Sequence, residues 1–159
     1  MTEVRTVAGT GDAGALHIGV VVASWNRSVT DRLLDGAVKR LEDLGVGAVT
    51  VVPVPGSLEL SVAARALAEA GCDAVVALGT IVKGETDHYA IVSAESARGL
   101  TLVALKMGVP VTNGVLAVHD VAHAVDRAQP GPGNKGYEAA TAAVEAALTL
   151  RSLGGDPSK

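Results

Sequence analysis

The feature that most restricts this chain is a regular alternation of short β-branched runs with segments whose apolar residues recur at helical spacing. Residues 16–24 (LHIGVVVAS), 48–54, 73–78 and 109–116 read as strands. Between them, residues 29–44 place Leu33, Leu34, Ala37, Val38, Leu41 and Leu44 on one helical face. Helices are also expected over 58–70, with Ser57 as N-cap, over about 88–107, over 120–128, and from Asn134, as cap, to about 153. Such alternation predicts an α/β fold with a four-stranded parallel sheet and right-handed crossovers. The chain has no Phe, one Trp and two Tyr, yet is 48% apolar, so the core must be Val, Ala and Leu. That composition suits a sheet covered on both faces.

The 159 residues are enough for one domain and too few for two. Residues 1–14 read as a loose, flexible arm, 15–153 as the α/β domain and 154–159 as a frayed tail. The formal charge is −4 and no basic cluster appears, so no nucleic-acid partner is expected. Cys72 stands alone, which offers neither a disulfide framework nor a metal set, and reads as an inert buried thiol. The first residues lack a basic region followed by an apolar stretch, and the longest apolar runs are strand-sized. A cytoplasmic protein without a membrane partner is the expectation.

In open parallel sheets, ligands bind beyond the carboxyl ends of the strands. That rule selects Ser24-Trp25-Asn26, the segment Pro55 to Glu59, the loop Gly79 to Asp87 with His88, and the residues after the fourth strand. Gly79 and Gly84 have the spacing of a phosphate loop, but Glu85 stands where a nucleoside-triphosphate loop needs lysine. What survives is a helix N-terminus whose amides at 85–87 can hold one phosphate, with an ordinary glycine-punctuated turn as the plain alternative. His88, in the first turn of that helix, is a candidate general acid/base or else a surface histidine. Arg127 and Lys135 flank the broken segment QPGPG, and Lys135 opens a helix, where a cation is mildly unfavourable unless function requires it. Glu59 with the Ser57 and Leu58 amides can hold sugar hydroxyls, or Glu59 simply stabilises a first helical turn. Trp25 can stack on a planar ring, or seal the core. His119 and His123 fall at i, i+4 and could share a helical face, but no third ligand is evident and no metal site is expected. The N-terminal Gly9, Gly11 and Gly14 spell a dinucleotide fingerprint that precedes a strand where it should follow one, so that reading fails.

The segments 23–26 (ASWN), 54–59 (VPGSLE), 79–88 (GTIVKGETDH), 114–116 (GVL), 126–128 (DRA) and 133–136 (GNKG), in this order and spacing, resemble the lumazine synthase family over residues 18–153. The resemblance implies a flavodoxin-like three-layer sandwich that condenses 5-amino-6-(D-ribitylamino)uracil with 3,4-dihydroxy-2-butanone 4-phosphate, a transferase step of riboflavin biosynthesis, with no cofactor and no metal. It also implies roles. Trp25 would stack on the pyrimidine, with Asn26, Thr80, Ile81, Val82 and a neighbour's Asn113 lining the pocket. Ser57, Leu58 and Glu59 would hold the ribityl chain, and Glu85, Thr86 and Arg127 the phosphate. His88 would move protons, and Lys135 would assist near the phosphate. Homo-oligomers follow too: pentamers, some closing into icosahedral shells, with sites between subunits and the arm pairing with a neighbour's sheet.

The chain departs from the family pattern at Ala90 and Ile91, where an acid and an aromatic are usual, and at Ala117-Val118, usually Thr-Thr. His119 and His123 replace more usual polar and acidic residues. These departures leave open a paralogue with an altered substrate, or a non-catalytic shell or flavin-type binding protein.

Overall fold

The computed structural model describes residues 1–154. Strands β1 (His17–Ala23), β2 (Ala48–Val54), β3 (Ala74–Val82) and β4 (Val111–Val118) form one parallel sheet in the order β2-β1-β3-β4. Helices α1 (Arg27–Asp43), α4 (Val121–Arg127) and α5 (Lys135–Leu153) cover one face, and α2 (Leu60–Glu69) and α3 (His88–Met107) the other. The expected three-layer α/β sandwich is thus what the chain forms. Residues 1–12 carry no regular element, and a single 3-10 turn over Ala13–Ala15 leads into β1. Of the expected tail, residues 155–159 lie outside the described residues. No helix among the described residues is long and apolar enough to cross a membrane.

The two-residue period of a strand divides one apolar run between two cores. Ile18, Val20 and Val22 of β1 pack with Leu33 and Leu41 of α1 and with Ala140, Val144 and Leu148 of α5. Val21 and Ala23 pack instead with Leu60, Ala64 and Leu67 of α2 and Leu100 of α3. Small residues replace aromatic bulk because α1 and α5 approach closely. A Cβ on Gly136 would overlap the carbonyl oxygen of Leu33, and one on Gly36 would overlap the Asn134 carboxamide.

Asn134, 1% exposed, fills that junction. Its amide nitrogen donates to the carbonyls of Arg32 (3.1 Å) and Ala128 (3.0 Å). Its Oδ1 accepts from the amides of Gly136 (2.8 Å) and Tyr137 (3.2 Å), capping α5 as its position in the sequence predicts. A carboxamide has two donors and two acceptor sites, and all four are used. The chain leaves β1 first towards β2 and then, through β3, to the other side. The resulting switch point opens a crevice at the carboxyl ends of β1 and β3.

Several boundaries differ from the sequence expectation. β3 continues to Val82, so Gly79 to Val82 belong to a strand that pairs with β4 and not to a loop. Gly79 serves close approach: a Cβ there would lie 2.9 Å from Ser57 Oγ. The phosphate-loop spacing therefore has no structural meaning. β4 begins and ends two residues later than expected, because Pro110 offers only its carbonyl, to the Val75 amide (2.8 Å). Ser57 does not cap α2. The helix starts at Leu60, its N-cap position is Glu59, and Glu59 Oε2 accepts from the Gly56 amide (2.9 Å). His119 precedes α4, so it shares no helical face with His123, and its ring meets Tyr89 edge to face at 5.6 Å.

Replacing Asn134 with Ala leaves the Ala128 carbonyl and the first two amides of α5 without their partner in a buried junction and is expected to cost about 2–4 kcal/mol. Gly136→Ala, which pushes α5 off α1, should destabilise at least as much. Thermal unfolding at fixed protein concentration reads both, and an unchanged midpoint would remove Asn134 from this role.

Candidate active site

Most residues singled out by sequence gather in two clefts that share no lining residue, while Leu58, Glu59, Glu85 and Thr86 line neither. The first, of about 130 Å³, lies at the switch point and is lined by Trp25, Asn26, Ser57, Thr80, Ile81, Val82 and His88. Ala23 and Val92 complete it. Val92 escaped the sequence reading, although its i, i+4 spacing from His88 puts both on one face of α3.

Trp25 is 64% exposed, so it does not seal the core. Its ring lies against Gly56, where a Cβ would stand 2.9 Å from Cζ3. The loop after β2 is held by the Glu59 carboxylate on Gly56, with Ser57 buried beneath and Leu58 exposed. The result is a flat aromatic platform beside a loop of hydroxyl, amide and carboxylate groups. Across the crevice, Glu85, Thr86 and Asp87 form an exposed turn into α3, and Thr86 Oγ1 accepts from the His88 amide (3.4 Å). His88 is the first residue of α3 and is exposed at the cleft. An anion placed at this turn would meet the positive end of a 20-residue helix.

The second cleft, of about 530 Å³, runs along the outer edge of β4. It brings together Asn113, Arg127 and Lys135. Arg127 Nη1 donates to the His123 carbonyl (3.0 Å), an arrangement that closes α4 favourably. The Lys135 ammonium pairs with Glu138 Oε2 at 2.5 Å. Glu138, absent from the sequence reading, offsets the cation that opens α5. Asn113 Oδ1 accepts from its neighbour Val115 (2.9 Å), which turns the carboxamide along the strand.

Cys72 has a histidine in contact: His17 Nε2, itself bonded to Thr50 Oγ1 (2.8 Å), lies 3.8 Å from the sulfur. The pair sits at the amino end of the sheet, away from both clefts. Cys72 is 3% exposed, and burial, then the neighbouring Asp73 carboxylate, push its thiol pKa up. A thiol whose thiolate is disfavoured is a poor nucleophile, so this contact is packing.

Comparison with known proteins places the chain. A family profile described as 6,7-dimethyl-8-ribityllumazine synthase matches residues 15–151. A protein of that name from Thermococcus gammatolerans is 46% identical over 152 residues, covering 95% of this chain and 98% of its own. One from Streptomyces avermitilis is 44% identical over 144 residues, 89% of each chain. One from Kineococcus radiotolerans is 46% identical over the same length, again 89% of each. With a match across nearly the whole α/β unit, this chain belongs to the 6,7-dimethyl-8-ribityllumazine synthase family.

Proposed function

We propose that this protein condenses 5-amino-6-(D-ribitylamino)uracil with 3,4-dihydroxy-2-butanone 4-phosphate, giving 6,7-dimethyl-8-ribityllumazine, inorganic phosphate and water. The observation that carries this reading is the switch-point cleft. It sets Trp25, Ser57 of the loop after β2 and the helix N-terminus bearing His88 around one crevice. Trp25 stacks on the pyrimidine, and the Thr80–Val82 strand end lies along its edge. The Ser57–Leu58 amides and Glu59 hold the ribityl hydroxyls, and the amides of Glu85 and Thr86 hold the phosphate.

The 5-amino group attacks the ketone, and His88 moves protons as water leaves and the imine forms. Removal of a proton beside the imine then expels phosphate and leaves an enol. Arg127, with Lys135 near it, stabilises the charge that develops there. The enol tautomerises to a ketone; the ribityl-bearing amine attacks that ketone, and the ring closes as a second water leaves. Holding two substrates in one crevice supplies much of the remaining acceleration.

One chain does not enclose this reaction. A cleft of about 130 Å³ is smaller than the roughly 300–1,000 Å³ of typical ligand pockets. Asn113, Arg127 and Lys135 line the other cleft of the same subunit. In our reading a neighbour's β4-edge cleft closes the switch-point cleft, so each site spans a subunit boundary in a cytoplasmic homopentamer. Further support comes from β2, an outer strand with exposed Val49 and Val51, which offers an edge for a neighbour's arm. The chain's own arm packs at Gly9 against the α5 backbone, on the other side of the sheet. The short connection between Arg127 and Lys135 favours closure into an icosahedral shell.

Purified protein should form lumazine well above the spontaneous rate, followed by absorbance. His88→Ala should slow turnover about 10²-fold, and Arg127→Ala about 10²–10³-fold. A folded, assembled protein no faster than the blank would overturn the synthase reading. Tight lumazine binding without turnover would point instead to a binding protein. Light scattering should report pentamers or larger closed assemblies, and deletion of residues 1–12 should weaken them. A monomeric full-length chain would contradict the shared site.

A further inference from the structure

Asn26 is the sole non-glycine residue with positive φ among those described (φ 62°, ψ 45°). It stands at the N-cap position of α1, where an Asn side chain ordinarily accepts from an amide of the first turn. Here it makes no such bond. Its carboxamide crosses to the end of another strand and donates to the Thr80 carbonyl at 2.9 Å.

The register explains why that acceptor is free. The β1–β3 ladder ends at Val22 and Leu78, whereas β3 continues alongside β4 to Val82. From Gly79 onward, β3 has no strand partner on its β1 side, and that gap is the switch-point cleft. The Thr80 carbonyl therefore lacks a ladder partner, and the Asn26 amide replaces one. The Thr80 hydroxyl is buried without a hydrogen-bond partner, so it offers no alternative tie. The left-handed turn is what aims the carboxamide across the gap. Trp25 immediately precedes this turn, and its own amide donates to the Pro55 carbonyl (3.1 Å). The aromatic platform is thus fixed on one side to the β2 loop and on the other, through Asn26, to the strand that forms the opposite wall. A strained backbone held by one cross-strand bond at a cleft is a form that positioning devices take.

We propose that Asn26 is a positioning residue. By tying its amide to the Thr80 carbonyl it sets the width of the ring slot between Trp25 and the Thr80–Val82 strand, and so acts through Trp25. This rests on the slot being the pyrimidine site, but its physical content can be tested without turnover. Trp25 is the chain's one tryptophan, so intrinsic fluorescence reports the platform alone.

Asn26→Gly accepts the left-handed backbone without strain and removes the tie. Asn26→Asp keeps the shape but sets an oxygen against the Thr80 carbonyl. In the assembled protein, both variants should lower Trp25 fluorescence anisotropy relative to wild type, Asp at least as much as Gly. KM for ribitylaminouracil should rise about tenfold in Asn26→Gly, with KM for dihydroxybutanone phosphate within about twofold of wild type. Unchanged Trp25 anisotropy in both variants overturns the proposal, even if activity falls, because Asn26 would then act directly on the substrate. An Asp variant that binds the uracil better than the Gly variant overturns it too. If neither variant assembles, Asn26 serves the fold as a whole and the positioning role is rejected. If wild-type protein forms no lumazine while the anisotropy still drops, the tie stands and the assignment of the slot fails.

Discussion

The rest of the structure depends on the saturated hydrogen bonding of one buried carboxamide. Asn134 joins three pieces of backbone that no ladder connects: the Arg32 turn of α1, the end of α4 at Ala128 and the first turn of α5. Inside a low-dielectric junction each of these bonds is strong, and each unmade one would be costly, so the arrangement is close to all-or-none. Gly36 and Gly136 exist to let it form, since a side chain at either would occupy its space. The consequence reaches the chemistry. Arg127 lies just before the Ala128 carbonyl and Lys135 just after Asn134, so the same side chain that seals the core places both cations along the outer edge of β4.

At the other side of the sheet the controlling fact is a mismatch in strand length. β3 outruns β1, and the crevice so created is bounded by Trp25, the Ser57 loop and the N-terminus of α3. The chain thus carries Trp25 and His88 at one cleft and the cations Arg127 and Lys135 at another. The two clefts share no lining residue, which is why the proposed reaction calls for two copies of the chain.

Much of this was legible beforehand. β-branched runs separated by helical periodicity gave four strands in a parallel sheet, and Asn134 announced itself as a cap. The family segments, read in order, singled out Trp25, Ser57 and His88, which line one cleft, and Arg127 and Lys135, which line the other. Part of what escaped the sequence depended on contacts distant along the chain. Gly79 looked like a turn because glycine usually marks one, whereas here it admits Ser57 from the β2 loop. Ser57 looked like a cap because nothing local shows that Glu59 reaches back to Gly56. No pattern could place His17 beside Cys72, 55 residues away, or turn Asn26 from its helix towards Thr80. Local propensity sets the elements, and tertiary competition for the same polar groups sets their ends.

The central claim is that one catalytic site is built from two copies of the chain, and subunit mixing tests it directly. His88→Ala protein and Arg127→Ala protein, each nearly inactive, would be dissociated, combined in equal amounts and reassembled. A shared site predicts recovery to about a quarter of wild-type activity, because a random ring joins an intact His88 surface to an intact Arg127 surface at one boundary in about four. Mixtures no more active than their parents, in assemblies proven to contain both chains, would show that each site lies within one subunit and contradict the account.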